Sequence, residues 1–323
     1  MFQIIPKLSL INIGKDFKDA IKNVSIRGYS NEPPVVVTGA FMLGLKEEKI
    51  PPLSVGEITH LICPTRRDIY MGRVLRKEGK KTWGRTTGSI LDLCFRGFNN
   101  DYKNRDMNRV KKYTSIIDES TDFISKKRAK WLSKLSEFKS VPEENPDWMI
   151  KNLDYTLRYE LIMLKVGQFL REGLLSHDID NDLKINPDCK KIGLSKGLKP
   201  DLFIAQVPAI GDIKSGHQFE DYFRLTAAGY ALAYENEHGA NNDINLGVIY
   251  FFPKRQKDIS FAHLHVFIID DKLRQEFLNR RDDALKVLLD ALGASKTIPD
   301  FVDREKHCIN CKFVDDCDKL RKK

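Results

Sequence analysis

The stretch KPDLFIAQVPAIGDIKSG, residues 199–216, constrains this chain more than any other. Asp201 opens a short apolar run over 202–205. A second run over 209–213 carries Asp212, and Lys214 follows two residues later. Strand side chains alternate between faces, so residues two apart share one. With 211–214 as a strand, Asp212 and Lys214 point the same way and Ile213 turns to the core. Asp201 begins the neighbouring strand of a hairpin and reaches the same spot. Two carboxylates and an amine on one sheet face suit a divalent cation that activates water against a phosphodiester. Carboxylates are hard oxygen ligands for Mg²⁺ or Mn²⁺, the cation lowers the pKa of bound water, and an ammonium steadies developing charge. Asp-x-Lys also serves as a solvated edge pair, and Pro-Asp as a turn start. The combination points to chemistry: Asp201 and Asp212 lie eleven positions apart with two apolar strands between them, and Ser215-Gly216 and a helix follow.

At 323 residues the chain has ample length for a core. Its hydrophobic content of 41% and charged content of 31% describe a soluble globular protein. The longest apolar run, near 246–252, is too short to cross a bilayer, so no membrane partner is expected. The opening MFQIIPKLSLINIGKD has no basic start, long apolar stretch or small-residue cleavage site, so it is not a secretion signal. A cytoplasmic protein is expected. The formal net charge of +9 favours an anionic partner, nucleic acid first.

Along the chain, 1–52 forms an N-terminal segment ended by Pro51-Pro52. Ser54-Val-Gly-Glu57 fits a capping box, with Ser54 as N-cap and Glu57 folding back onto a helix over 55–62. Another helix runs through 66–76, rich in Arg and Lys with Tyr70 among them; it lines a nucleic-acid groove or is a charged helix face, and the basic net charge favours the groove. Residues 53–98 end with SILDLCF, a helix carrying Asp92 inward. A lysine-rich helical insertion occupies 99–185. The core over 186–293 holds the hairpin, a helix over 218–237, strands over 246–252 and 261–269, and an amphipathic helix over 271–293 that Gly293 ends. His263 and His265 alternate with Phe261 and Phe267 and are read as partly buried sheet residues. This order suits an α/β core with a helical insertion.

The tail over 294–323 contains HCINCKFVDDCDKL, with Cys308-x-x-Cys311 and then Cys317. Three thiols in ten residues make a nest for a thiophilic centre, and Cys63 is the candidate for a distant fourth. Four thiolates suit either Zn²⁺ or a [4Fe–4S] cluster. His307 is an alternative ligand in a zinc site. Two disulfides or idle thiols form the plain alternative, and without a secretion signal disulfides are the lesser use. Cys94 and Cys189 are ordinary thiols.

Together the two stretches resemble the CRISPR-associated RecB-like nucleases, the Cas-four family, in its longer archaeal branch found with type I-A systems. The likeness covers about 53–323. Its landmarks are SVGEITHLICPTRRDIY around Cys63, GSILD at 88–92, KPDLF, GDIKSG, GYALAYE, LRQEFLNRRDDAL and the final cysteine triplet. The resemblance implies a PD-(D/E)XK (RecB-like) nuclease core with a C-terminal iron–sulfur region, its [4Fe–4S] cluster held by Cys63, Cys308, Cys311 and Cys317. It implies a Mg²⁺- or Mn²⁺-dependent DNA exonuclease acting on single-stranded ends, which trims spacer precursors for the Cas-one/Cas-two integrase. Asp201 matches the first metal-binding aspartate, Asp212 the position usually held by glutamate, and Lys214 the catalytic lysine. Tyr230 matches the tyrosine of Gln-x-x-x-Tyr, with Thr226 where glutamine is expected. Asp92 stands where the family's metal-binding histidine falls. The expected metal set is therefore Asp92, Asp201 and Asp212. Two rival readings differ in chemistry: an inactive iron–sulfur DNA-binding subunit of the adaptation complex, and a zinc-ribbon-tailed nucleic-acid protein.

Overall fold

A computed structural model describes residues 15–30, 50–80, 88–89, 179–180, 182–205, 207–253, 263–302, 308 and 311–322. The expected helical insertion falls outside these residues up to 178, and its last described part is not helical, since Ile179–Asp180 is a strand; Asp92, Cys94, His307 and the lysines of 103–139 also fall outside. Among the described residues a five-stranded sheet runs in sequence order: β1 (Ile179–Asp180), β2 (Leu202–Ile204), β3 (Ala209–Gly216), β4 (Leu246–Pro253) and β5 (His263–Ile268). The β1/β2, β2/β3 and β4/β5 pairs are antiparallel, whereas β3 and β4 are parallel. A parallel pair needs a crossover, and the helix Tyr222–His238 supplies it.

Helices pack around and beside this sheet. In chain order they are α1 (Lys18–Lys22), α2 (Val55–Thr59), α3 (Arg67–Ile69, continuing as a π-helical turn over Tyr70–Val74), α4 (Cys189–Ile192), α5 (Tyr222–His238) and α6 (Asp271–Leu292); a terminal helix, α7, spans Val314–Arg321. The capping box forms as the sequence predicts. Ser54 Oγ accepts from the Glu57 amide at 3.3 Å, and the Ser54 amide donates to Glu57 at 2.9 Å. That helix stops at Thr59 rather than at 62, because His60 turns extended. Helix α6 closes on Gly293, where the sequence puts its end.

The two sheet faces differ. Leu202, Ile204, Ala209, Leu246 and Val248 make one apolar face, with Ile213 packed against them. The other face meets the helices: Phe203 and Ile210 join α2, α5 and α6 in the main core. Gly211 permits the close approach of β3 to β4, since a Cβ there would sit 2.1 Å from the Val248 carbonyl oxygen.

The N-terminal segment is stitched into this core. Asp271, at the start of α6, accepts from the amides of Ser25 and Ile26 at 2.9 and 2.8 Å. Deeper in, Glu235 and Arg274 are fully buried and joined by two parallel bonds of 2.8 Å. Glu235 also accepts from the amides of Gly28 and Ile244, at 3.0 Å each, and Arg27 adds a third charge at 3.3 Å. A buried ion pair persists only when its remaining polar atoms are satisfied, and these are.

Candidate functional site

The hairpin register builds the acidic pair. Leu202 faces Gly211 and Phe203 faces Ile210; continued by one step, Asp201 stands opposite Asp212. Directly opposed residues share a face, and that face is the helix-covered one. Both carboxyls accept from one amide, that of Ile213: Asp201 Oδ2 at 2.9 Å and Asp212 Oδ1 at 2.9 Å. Lys214, two residues on, closes an ion pair with Asp212, and both side chains are nearly buried. Burial pushes the Asp212 carboxyl up. Attraction to Lys214 and hydrogen bonding with Asp201 and Lys214 outweigh it and hold the group below the ordinary carboxylate range. Carboxylates this close repel unless a proton or a cation lies between them. The donor chemistry therefore fits a hard divalent cation. No set of three or more His, Cys, Asp or Glu side chains among the described residues is gathered tightly enough to enclose a single ion.

His60 belongs to this neighbourhood, and the sequence reading did not find it. It is the residue that leaves α2, and its ring meets Tyr222 of α5 edge-on at 5.7 Å. Burial and the Lys214 ammonium together push its pKa down to about 4, against the opposing pull of Asp212. The imidazole is thus neutral at pH 7. Only its place three residues before Cys63 marks it in the sequence.

Tyr230 lies on the stripe of α5 that also carries Tyr222 and Thr226, each four residues apart. Tyr222 touches His60, Thr226 is buried with its hydroxyl 3.5 Å from that of Thr59, and Tyr230 packs against the main core. Thr226 is thereby a packing contact between α5 and α2.

Of the four arginines over 66–76, Arg66, Arg67 and Arg73 are engaged within the protein, whereas Arg76 is exposed. Arg66 is buried and donates to the carbonyls of Glu57 and Ile58. Arg67 is buried, donates to the Pro299 carbonyl and lies 3.6 Å over the Phe301 ring. Arg73 is held by Glu57 through Nε at 2.7 Å. These three guanidiniums are therefore engaged chiefly by the protein itself.

Cys63, Cys308, Cys311 and Cys317 converge on one pocket, with Met71 and Phe313 among its walls. Long-range ties bring them there. Lys80 donates its amide to the Lys312 carbonyl at 2.9 Å, Thr65 Oγ1 donates to the Asp300 carbonyl at 2.8 Å, and Phe313 is buried against Tyr70 and Met71. The five described cysteines are free thiols. Burial raises Cys311 and Cys317, and in each case the neighbouring cysteines push the same way. Mutual repulsion of thiolates around one cavity is what a cationic centre relieves, and four thiols are the donor type of such a centre, although here they are not gathered tightly enough to enclose a single ion. Asp68 lines the same pocket; burial raises its carboxyl to about 6 against the pull of Arg66.

The family model described as CRISPR-associated exonuclease Csa1 matches residues 26–308. That match begins well before the resemblance read from Leu53 onward and reaches the first cysteine of the terminal triplet. No curated protein matches the chain. No helix among the described residues is long and apolar enough to cross a membrane.

Proposed function

The chain belongs to the Csa1 family of CRISPR-associated exonucleases, and from that premise we propose a metal-dependent DNA exonuclease of the PD-(D/E)XK, RecB-like type. It acts on single-stranded ends and trims spacer precursors for the Cas-one/Cas-two integrase. The observation that carries the reading is the hairpin register, which sets Asp201 against Asp212 with Lys214 paired beside them.

Asp201 and Asp212, with Asp92, would hold Mg²⁺ or Mn²⁺, which supplies Lewis-acid activation of water and of the scissile phosphate. Asp212 stays ionised because Lys214 and Asp201 offset the cost of its burial. Lys214 is aimed by Asp212 and offers its ammonium to the charge that builds on the phosphate oxygens. Tyr230, on the α5 stripe, is assigned to orienting the substrate. The cysteine pocket, filled by a [4Fe–4S] cluster on Cys63, Cys308, Cys311 and Cys317, would tie the tail to α3 as a structural brace.

Lys214→Ala tests the enzyme reading. With Mn²⁺ and an end-labelled single strand, the variant should lose at least about 10²-fold in cleavage while binding the strand as tightly as the parent. A parent protein that binds but never cleaves would instead make this a DNA-binding subunit of the adaptation complex.

A further inference from the structure

An array of rings lies beside the acidic pair on the same face of the sheet. Asp212 pairs with Ile249, which pairs with His265; Lys214 pairs with Phe251, which pairs with His263. Paired residues of neighbouring strands share a face. The two histidines of β5 therefore stand two strand spacings, ~9.5 Å, from the carboxylate and the ammonium. Phe219, just before α5, lies over His265 with ring centroids 3.9 Å apart and planes inclined at 27°. It also meets Phe223 and Phe251 edge-on at 5.6 and 5.8 Å. Arg224 is exposed and holds its guanidinium 5.7 Å from the Phe219 ring and 5.6 Å from that of Phe267. Phe219, His265 and Phe267 are half-buried, whereas His263 is exposed.

Two features separate this array from an ordinary core cluster. Its rim is a cation and two imidazoles rather than aliphatic side chains. In addition, His265 Nε2 has no hydrogen-bond partner among the described residues, although water does not reach it. Burial, with His263 and Arg224 acting the same way, lowers the pKa of the His265 ring. An imidazole stacked on a phenyl ring, with a guanidinium across the edge, offers π-faces and a cation together. Nucleobases stack on such faces without regard to sequence, and arginine adds a cation–π component. The net charge of +9 agrees with a polyanionic occupant.

We propose that Phe219, His265 and Arg224 form a stacking subsite for a nucleobase of a single-stranded end, placed so that the neighbouring phosphodiester reaches Asp201, Asp212 and Lys214. The subsite rests on the nuclease reading above for its substrate class. Its role is to grip the strand, so it predicts base dependence in binding rather than a chemical step.

The test steps one abasic residue through a single-stranded oligonucleotide and measures binding to the full chain in buffer free of divalent cations. At the position that occupies the subsite, loss of the base should weaken binding about tenfold. Phe219→Leu keeps apolar volume but removes the ring. It should bind the intact strand about tenfold less tightly and become indifferent to the abasic position. Arg224→Gln, at an exposed position, should move both readings the same way by less, and it carries the test should Phe219→Leu fail to fold. The subsite is overturned if no position shows a penalty, or if both folded variants keep the full one. Cleavage of the strand with Mn²⁺ but no base dependence would remove the subsite and leave the nuclease. Base dependence without any cleavage would keep the subsite and remove the nuclease.

Discussion

The acidic hairpin and the cysteine pocket place their functional groups by opposite means. Asp201, Asp212 and Lys214 come from one short stretch, and a backbone ladder fixes which side chains face one another. Cys63 and the terminal thiols are separated by most of the chain, and only side-chain ties and a few hydrogen bonds gather them. A site made by register exists as soon as the hairpin does. A site made by distant thiols has to overcome loop-closure entropy, and the bound centre itself contributes to that closure. The hairpin should therefore survive changes that dismantle the pocket.

Asp201→Asn presses hardest on the first half of this contrast. It should cut Mn²⁺-dependent cleavage by roughly 10²–10³-fold with little change in melting temperature, since Asp201 adds charge rather than packing. A large loss of stability would show that the acidic pair also holds the hairpin together.

Cys63→Ser addresses the second half. The purified protein should lose the visible absorption and stoichiometric metal of the centre, and limited proteolysis should clip the tail beyond Phe301. The sheet should stay resistant, with a melting temperature lower by several degrees. A tail that remains protected would mean that Phe313, Arg67 and Lys80 suffice to dock it, and the contrast would fail.

The smallest effect tests whether α2, which bridges the two sites, is a rigid spacer. In Glu57, burial raises the carboxyl, but Arg73 and Ser54 outweigh it and hold it below its ordinary value near 4.5. A group lowered on folding stabilises the fold above its unfolded pKa and loses that contribution as pH falls through the folded one. Glu57→Gln should therefore cost about 1–3 kcal/mol at neutral pH. The two denaturation curves should converge in acid, below about pH 4. A difference that persists there would assign the effect to packing instead of charge.

What the sequence discloses and what it hides follow from range. The hairpin, the capping box at Ser54 and Glu57, and the stop of α6 at Gly293 are local patterns with period or cap chemistry, and they read directly. His60 did not read, because its closeness to Asp212 and Lys214 arises from the packing of α2 on α5. The inward turn of Arg66 and Arg67 did not read for a related reason. A basic run looks the same whether it faces solvent or donates to carbonyls 232 residues away, as Arg67 does to Pro299. Arg27, Glu235 and Arg274 show no pattern at all, since three charges scattered over the chain become a unit only in the folded core.

That buried trio has a practical corollary. The dipeptide Pro51-Pro52 looks like a natural place to begin a shortened protein, yet a chain begun there would discard Arg27 and the amides of Ser25, Ile26 and Gly28. Glu235 would lose two of its donors and Asp271 three, exposing the seam between α5 and α6, which pack on the sheet face that bears the acidic pair. A trimmed version that fails to cleave would then report a scaffold damaged from behind, not an absent catalyst.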